Sequence, residues 1–107
     1  MKRALVADIR PLAREDLDSI AATIDAEHHE AALRFLDTFD AAIDRLVQLP
    51  ELGQVWQTNR PDTLSTVRRF VMRTFHVSIF YHPTESTLEV LRVLHHSRDV
   101  LPLLEDL

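Results

Sequence analysis

The apolar residues of this chain change their spacing once, and that change restricts the fold more than any single motif does. Ala13, Leu17, Ile20, Ala21 and Ile24 recur at intervals of three and four, as do Ala32, Phe35, Leu36, Phe39, Ala42, Ile43 and Leu46. That is the period of an amphipathic helix. Phe75, Val77, Ile79 and Tyr81 recur at intervals of two, the period of a strand. Helices followed by strands, rather than alternating with them, predict an α+β domain. The 107 residues suffice for one domain, residues 1–107, and not for two.

Prolines and one glycine punctuate the pattern. Residues 3–9 form an apolar run that stops at Arg10-Pro11 and reads as a strand, with Pro11 at a helix start. The first helix is expected to run to about Glu27, with His28-His29 as a junction, and the second is stopped by Pro50 before the turn Glu51-Leu52-Gly53. Two helices with almost no linker suggest an antiparallel hairpin. Residues 53–64 show no period; residues 59–62 read as an exposed loop, and Trp56 is expected to pack back on the core. Residues 66–71, 75–82 and 87–95 read as three strands, the last apolar at both parities and therefore central. Residues 100–107 predict a short turn or helix. The predicted order is β-α-α-β-β-β: an antiparallel sheet packed against an N-terminal helical hairpin, with the first strand returning to that sheet.

Charge narrows the function. There are 12 Lys+Arg against 17 Asp+Glu, a formal net charge of −5, which argues against a surface that grips nucleic acid throughout. The charge is uneven. Residues 1–59 carry 6 basic and 11 acidic side chains; residues 60–107 carry 6 of each. No acid falls within 63–84, which holds Arg68, Arg69, Arg73, His76 and His82. Cysteine is absent, excluding disulfides and cysteine-ligated metals. Gly53 is the only glycine, so Gly-rich phosphate loops are excluded and no cofactor is expected. No apolar run is long enough for a membrane span and no signal peptide is evident, so a cytoplasmic protein is expected.

Two constellations carry possible chemistry. Arg68, Arg69 and Arg73, with His76, suit phosphate or carboxylate partners, the arginines through bidentate guanidinium pairing, although Arg68 and Arg69 must point to opposite faces of a strand. The competing reading is solvated strand charge that discourages edge pairing. Arg92, His95, His96 and Arg98 lie at and beyond the end of the last strand, where a His beside an Arg suits acid–base work on a phosphodiester. The competing reading pairs Arg92 with an acid and bonds the His to backbone. The adjacent pairs His28-His29 and His95-His96 chelate poorly, so no metal is expected.

Four segments together resemble the RelE/ParE toxin superfamily, on the ParE side. Pro11-Leu12-Ala13-Arg14-Glu15-Asp16-Leu17 is similar to the family's P-x-A-x-x-D-L opening. Residues 32–39 lead into Ala41-Ala42-Ile43-Asp44-Arg45-Leu46, followed by Leu49-Pro50-Glu51-Leu52-Gly53. Val90-Leu91-Arg92-Val93-Leu94-His95 with Arg98-Asp99 is close to V-L-R-V-L-H-x-x-R-D. Family members often carry glycine between the second and third strands and after the L-H; here those regions read Val71-Met72-Arg73-Thr74 and His96-Ser97.

The resemblance implies the RelE/ParE-like fold and the toxin of a type II toxin–antitoxin module. Its expected partner is a ParD-like antitoxin whose flexible C-terminal segment wraps the toxin, giving a hetero-oligomer. The ParE side implies inhibition of DNA gyrase by protein–protein binding, without catalytic residues or direct sequence-specific nucleic-acid contact. Arg68, Arg69, Arg73, Arg92, His95 and Arg98 are then the expected contacts with target or antitoxin. The RelE side implies a ribosome-dependent mRNA endonuclease, with His95, or His96, together with Arg92 and Arg73 as its minimal site. A third reading is a relative that keeps the antitoxin surface without toxicity.

Overall fold

The computed structural model describes residues 4–56 and 66–96. Arg3, the expected loop at 59–62, Arg98, Asp99 and the expected tail element at 100–107 lie outside the described residues. The elements are β1 (Val6–Ile9), α1 (Pro11–Glu27), α2 (His29–Gln48), β2 (Gln54–Val55), β3 (Arg68–Met72), β4 (Val77–Pro83) and β5 (Thr87–His95), with a 3-10 turn at Arg73–Phe75.

Pro11 opens α1, where a missing N–H loses no helical bond and the fixed φ suits the helix. His28 alone separates the helices. Its backbone is extended (φ −157°, ψ 93°); its N–H reaches the Ile24 carbonyl at 2.8 Å and its carbonyl accepts the Ala32 N–H at 3.2 Å. One non-helical residue thus ends α1 and begins α2, and the two helices pack on each other. Leu49 leaves the helical region (φ −129°, ψ 69°), as a residue before proline tends to do.

The sheet has the strand order β1-β5-β4-β3-β2. The meander from β2 to β5 is antiparallel throughout. β1 lies parallel to β5, pairing Val6 with Thr87 through Ile9 with Val90. The sheet is therefore mixed rather than wholly antiparallel. A strand returned through two helices is free of the short turn that forces antiparallel pairing. The fifth strand, β2, falls where the sequence shows no period, because two residues are too few to display one.

Two registers meet within β5. Phe80 pairs with Arg92 but Tyr81 pairs with Val90, leaving Leu91 as an extra residue. Such a bulge shifts the face reached by every residue beyond it. Leu88, Val90 and Val93 consequently share the layer under the helices, with Val77, Ile79, Tyr81 and Met72. Leu17, Phe35, Phe39, Ile43 and Leu46 fill that layer from the helix side. Phe75 closes it edge-on against Phe35, centroids 5.3 Å apart. Each fully buried side chain of this size contributes about 1.5–3 kcal/mol. The opposite sheet face holds a smaller cluster of Val67, Phe80 and Leu94, with Trp56 and Leu91 against it. Trp56 does pack back on the core, edge-on to Phe80 at 5.3 Å.

Asp16 of α1 joins the layers where β1 ends. β5 continues past Val90, and the Asp16 carboxylate accepts the Val93 N–H at 3.0 Å. The same carboxylate accepts Arg92 Nε at 2.7 Å and Nη2 at 2.9 Å. Both side chains are largely buried, 10% and 14% exposed for Arg92 and Asp16. A buried guanidinium needs such a partner.

Candidate functional site

The arginines singled out in the sequence go to different places. Arg68 and Arg69 diverge, as successive strand residues must. Arg68 Nη1 donates to the carbonyls of Gly53 at 2.7 Å and Glu51 at 3.2 Å, holding the turn after α2 against β3. Its cross-strand neighbour Tyr81 serves the same turn. The Tyr81 hydroxyl accepts the Gly53 N–H at 2.9 Å and donates to the Pro50 carbonyl at 2.8 Å. Burial pushes the Tyr81 phenol above its ordinary pKa, against smaller opposing pulls from the Gly53 amide and the Arg68 charge.

Arg69 lies on the face turned from the helices. Its guanidinium sits 5.5 Å from the Trp56 ring centroid and 5.9 Å from that of Phe80, within cation–π range. Its Nε donates to the Ser78 hydroxyl at 2.8 Å, and that hydroxyl is 2.9 Å from His96 Nε2. The His96 and His76 rings stand edge to face, centroids 6.2 Å apart, and the His96 N–H donates to the His76 carbonyl at 2.8 Å. Desolvation holds the His96 pKa below the ordinary imidazole value; the charges of Arg69, His76 and His95 press the same way.

Of the expected contact residues, Arg69 and His95 therefore share the surroundings of His96. Arg92 is turned to Asp16, and Arg98 lies outside the described residues. Ser78 escaped the sequence reading as a site residue. Its signal was available: the one serine of the largely apolar strand Val77–Pro83, 1% exposed in the structure. His96, which the sequence placed beside His95 at the end of the last strand, completes the chain of hydrogen bonds through its Nε2.

A second feature lies along the sheet edge. β2 covers only Arg68 and Arg69 of β3, so among the described residues Phe70, Val71 and Met72 have no strand on their outer side. Beside them a groove of about 600 Å³ runs between α2 and β3, lined by Thr38, Arg45, Leu52, Phe70, Val71 and Arg73, among others. Arg45 and Arg73 are exposed. An open strand edge beside apolar and cationic side chains can take an extended, acidic segment as a further strand. Among the described residues no group of three or more His, Asp or Glu is placed to hold a metal ion, and no helix is long and apolar enough to cross a membrane.

Comparison with known proteins bears on these features. A chain of the chromosomal ParDE TA system from P. aeruginosa superposes with a TM-score of 0.68 at 19% identity, over 86% of this chain and 96% of that one. At that identity the likeness is one of fold. No curated protein matches. The family model described as the ParE toxin of the type II toxin–antitoxin system parDE matches residues 7–100. With both helices, the meander from β2 to β5 and the Asp16–Arg92 tie inside that span, the chain belongs to the ParE toxin family.

Proposed function

We propose that this protein is a cytoplasmic toxin that inhibits DNA gyrase by protein–protein binding and is neutralised by a ParD-like antitoxin. The observation that carries the binding mode is the open edge of β3 beside the arginine-flanked groove. It offers backbone hydrogen bonds, apolar contacts from Leu52 and Phe70, and charge from Arg45 and Arg73. An antitoxin segment with acidic and apolar side chains in alternation matches all three, and orders as it docks. Family membership and the overall acidity support gyrase over a large phosphate surface as the target.

Slowed amide exchange at residues 70–72 on adding the cognate antitoxin tests the seat; unchanged exchange in a complex that forms overturns it. Supercoiling by purified gyrase tests the target, with inhibition expected at micromolar toxin. The His96–Ser78–Arg69 chain keeps one other reading specific, cleavage of mRNA on the ribosome. Toeprinting for cuts in the ribosomal A site decides that reading.

A further inference from the structure

Ser78 presents a problem of energetics that the binding mode above does not address. A hydroxyl 1% exposed within an apolar strand is unfavourable unless it is hydrogen-bonded. Its two partners are functional-looking groups from neighbouring strands rather than backbone: Arg69 of β3 and His96 beyond β5. Ser78 is too deeply buried to meet a substrate, so it is not a nucleophile. What it does is hold a guanidinium and an imidazole in fixed positions. Trp56 and Phe80 hold the same guanidinium from its sides. His76 brings a second imidazole against the first, at φ 55°, a left-handed conformation that L side chains adopt only at a cost. Arg69, His76 and His96 thus converge from β3, from the turn before β4 and from the end of β5. None of them has a carboxylate partner among the described residues.

We propose that Arg69, His76 and His96 form a phosphate-binding site on the sheet face turned from the helices. Phosphate fits better than a carboxylate. The Nε–H of Arg69 is taken by Ser78, which closes one of the two edges on which a guanidinium pairs an oxyanion bidentately. Three donors from three elements suit a tetrahedral oxyanion with several acceptor oxygens, and its double charge answers more than one cation. The site is separate from the groove at β3, and its existence does not depend on which target the toxin has. Binding takes up protons: His96 is held toward its neutral form by burial and by Arg69, His76 and His95 around it, and an anion reverses that electrostatic pressure. Affinity therefore rises as pH falls through the imidazole range.

The test is a titration of the whole protein with inorganic phosphate, followed by the histidine ring signals in two-dimensional NMR at about pH 6 and about pH 8, on either side of the imidazole range. Saturable shifts of His76 and His96, stronger at the lower pH and absent with chloride at equal ionic strength, are expected. Ser78→Ala is expected to weaken binding about tenfold, because the guanidinium and imidazole lose their common anchor. Arg69→Gln is expected to abolish it, and Arg34→Gln on exposed α2 to leave it unchanged. Arms with a nucleoside monophosphate and with a short single-stranded oligonucleotide distinguish a free phosphate ester from a nucleic-acid backbone; tighter binding of either than of phosphate supports the site. Histidine shifts that follow ionic strength alone, or that persist undiminished in a folded Arg69→Gln protein, overturn it. If Arg69→Gln does not fold, wild-type shifts that chloride reproduces overturn it equally.

Discussion

At the scale of single residues, Gly53 is the clearest case of a sequence feature whose reason appears only in three dimensions. A Cβ there would lie 2.6 Å from the Tyr81 hydroxyl and 2.8 Å from the Arg69 carbonyl. The one glycine in the chain read as a turn; its actual constraint is the close approach of Tyr81. Gly53→Ala is expected to cost about 1–3 kcal/mol through overpacking, read as a lower urea midpoint. Tyr81→Phe leaves the Gly53 N–H and the Pro50 carbonyl without their shared partner, at about 1–3 kcal/mol. It should also remove a loss of stability above about pH 10, since the phenol titrates higher in the folded protein than in the unfolded chain. The resemblance implied a glycine between these strands; residues 71–74 lack one, and the structure puts a positive φ there on His76. His76→Val is expected to lose about 1–3 kcal/mol of stability, and His76→Gly to stay within about 1 kcal/mol of wild type.

At the scale of elements, both helices, the Pro11 start, the His28 junction and β5 at residues 87–95 were legible from period and punctuation. The faces of β5 were not. Strict alternation groups Leu88, Val90 and Leu94, whereas the bulge at Leu91 puts Leu88 and Val90 with Val93 and sends Leu94 to the opposite face. An extra residue leaves no mark in a strand that is apolar at both parities. The parallel β1 was equally hidden, because four residues carry no record of direction. The P-x-A-x-x-D-L and V-L-R-V-L-H segments could be matched but not connected. They meet through Asp16 and Arg92, 76 residues apart, so much of what the motifs encode is the joint between α1 and the end of β5. Asp16→Ala is expected to cost about 3 kcal/mol or more, because it leaves a largely buried guanidinium without its carboxylate. Asp16→Asn keeps an acceptor for the Val93 N–H and should lose less. Urea unfolding of the two variants checks the order.

At the scale of the whole molecule, the net charge of −5 divides between layers. Acids outnumber arginines on α1 and α2, while residues 63–84 hold cations and no acid. The basic stretch 63–84 pointed to the right elements, but sequence could not separate a groove at β3, a clasp at the turn after α2 and an Arg69–Ser78–His96 chain. Those depend on which face each residue takes and on what lies across the sheet. Burial of His96, with the charges of Arg69, His76 and His95 after it, also sets a pH response. The unfolded chain protonates at His96 more readily than the folded one, so stability is present above about pH 6.5 and falls as pH drops below it. His96→Gln should flatten that fall in a series of urea titrations; a fall of equal steepness in the variant would assign it to other groups.

The proposed inhibition of gyrase by this toxin has a direct test. The direct measurement is supercoiling of relaxed plasmid by purified gyrase across a titration of the folded toxin, with and without prior addition of its antitoxin. Inhibition at micromolar toxin that the antitoxin prevents is the predicted result. Undiminished supercoiling at micromolar folded toxin would contradict the claim.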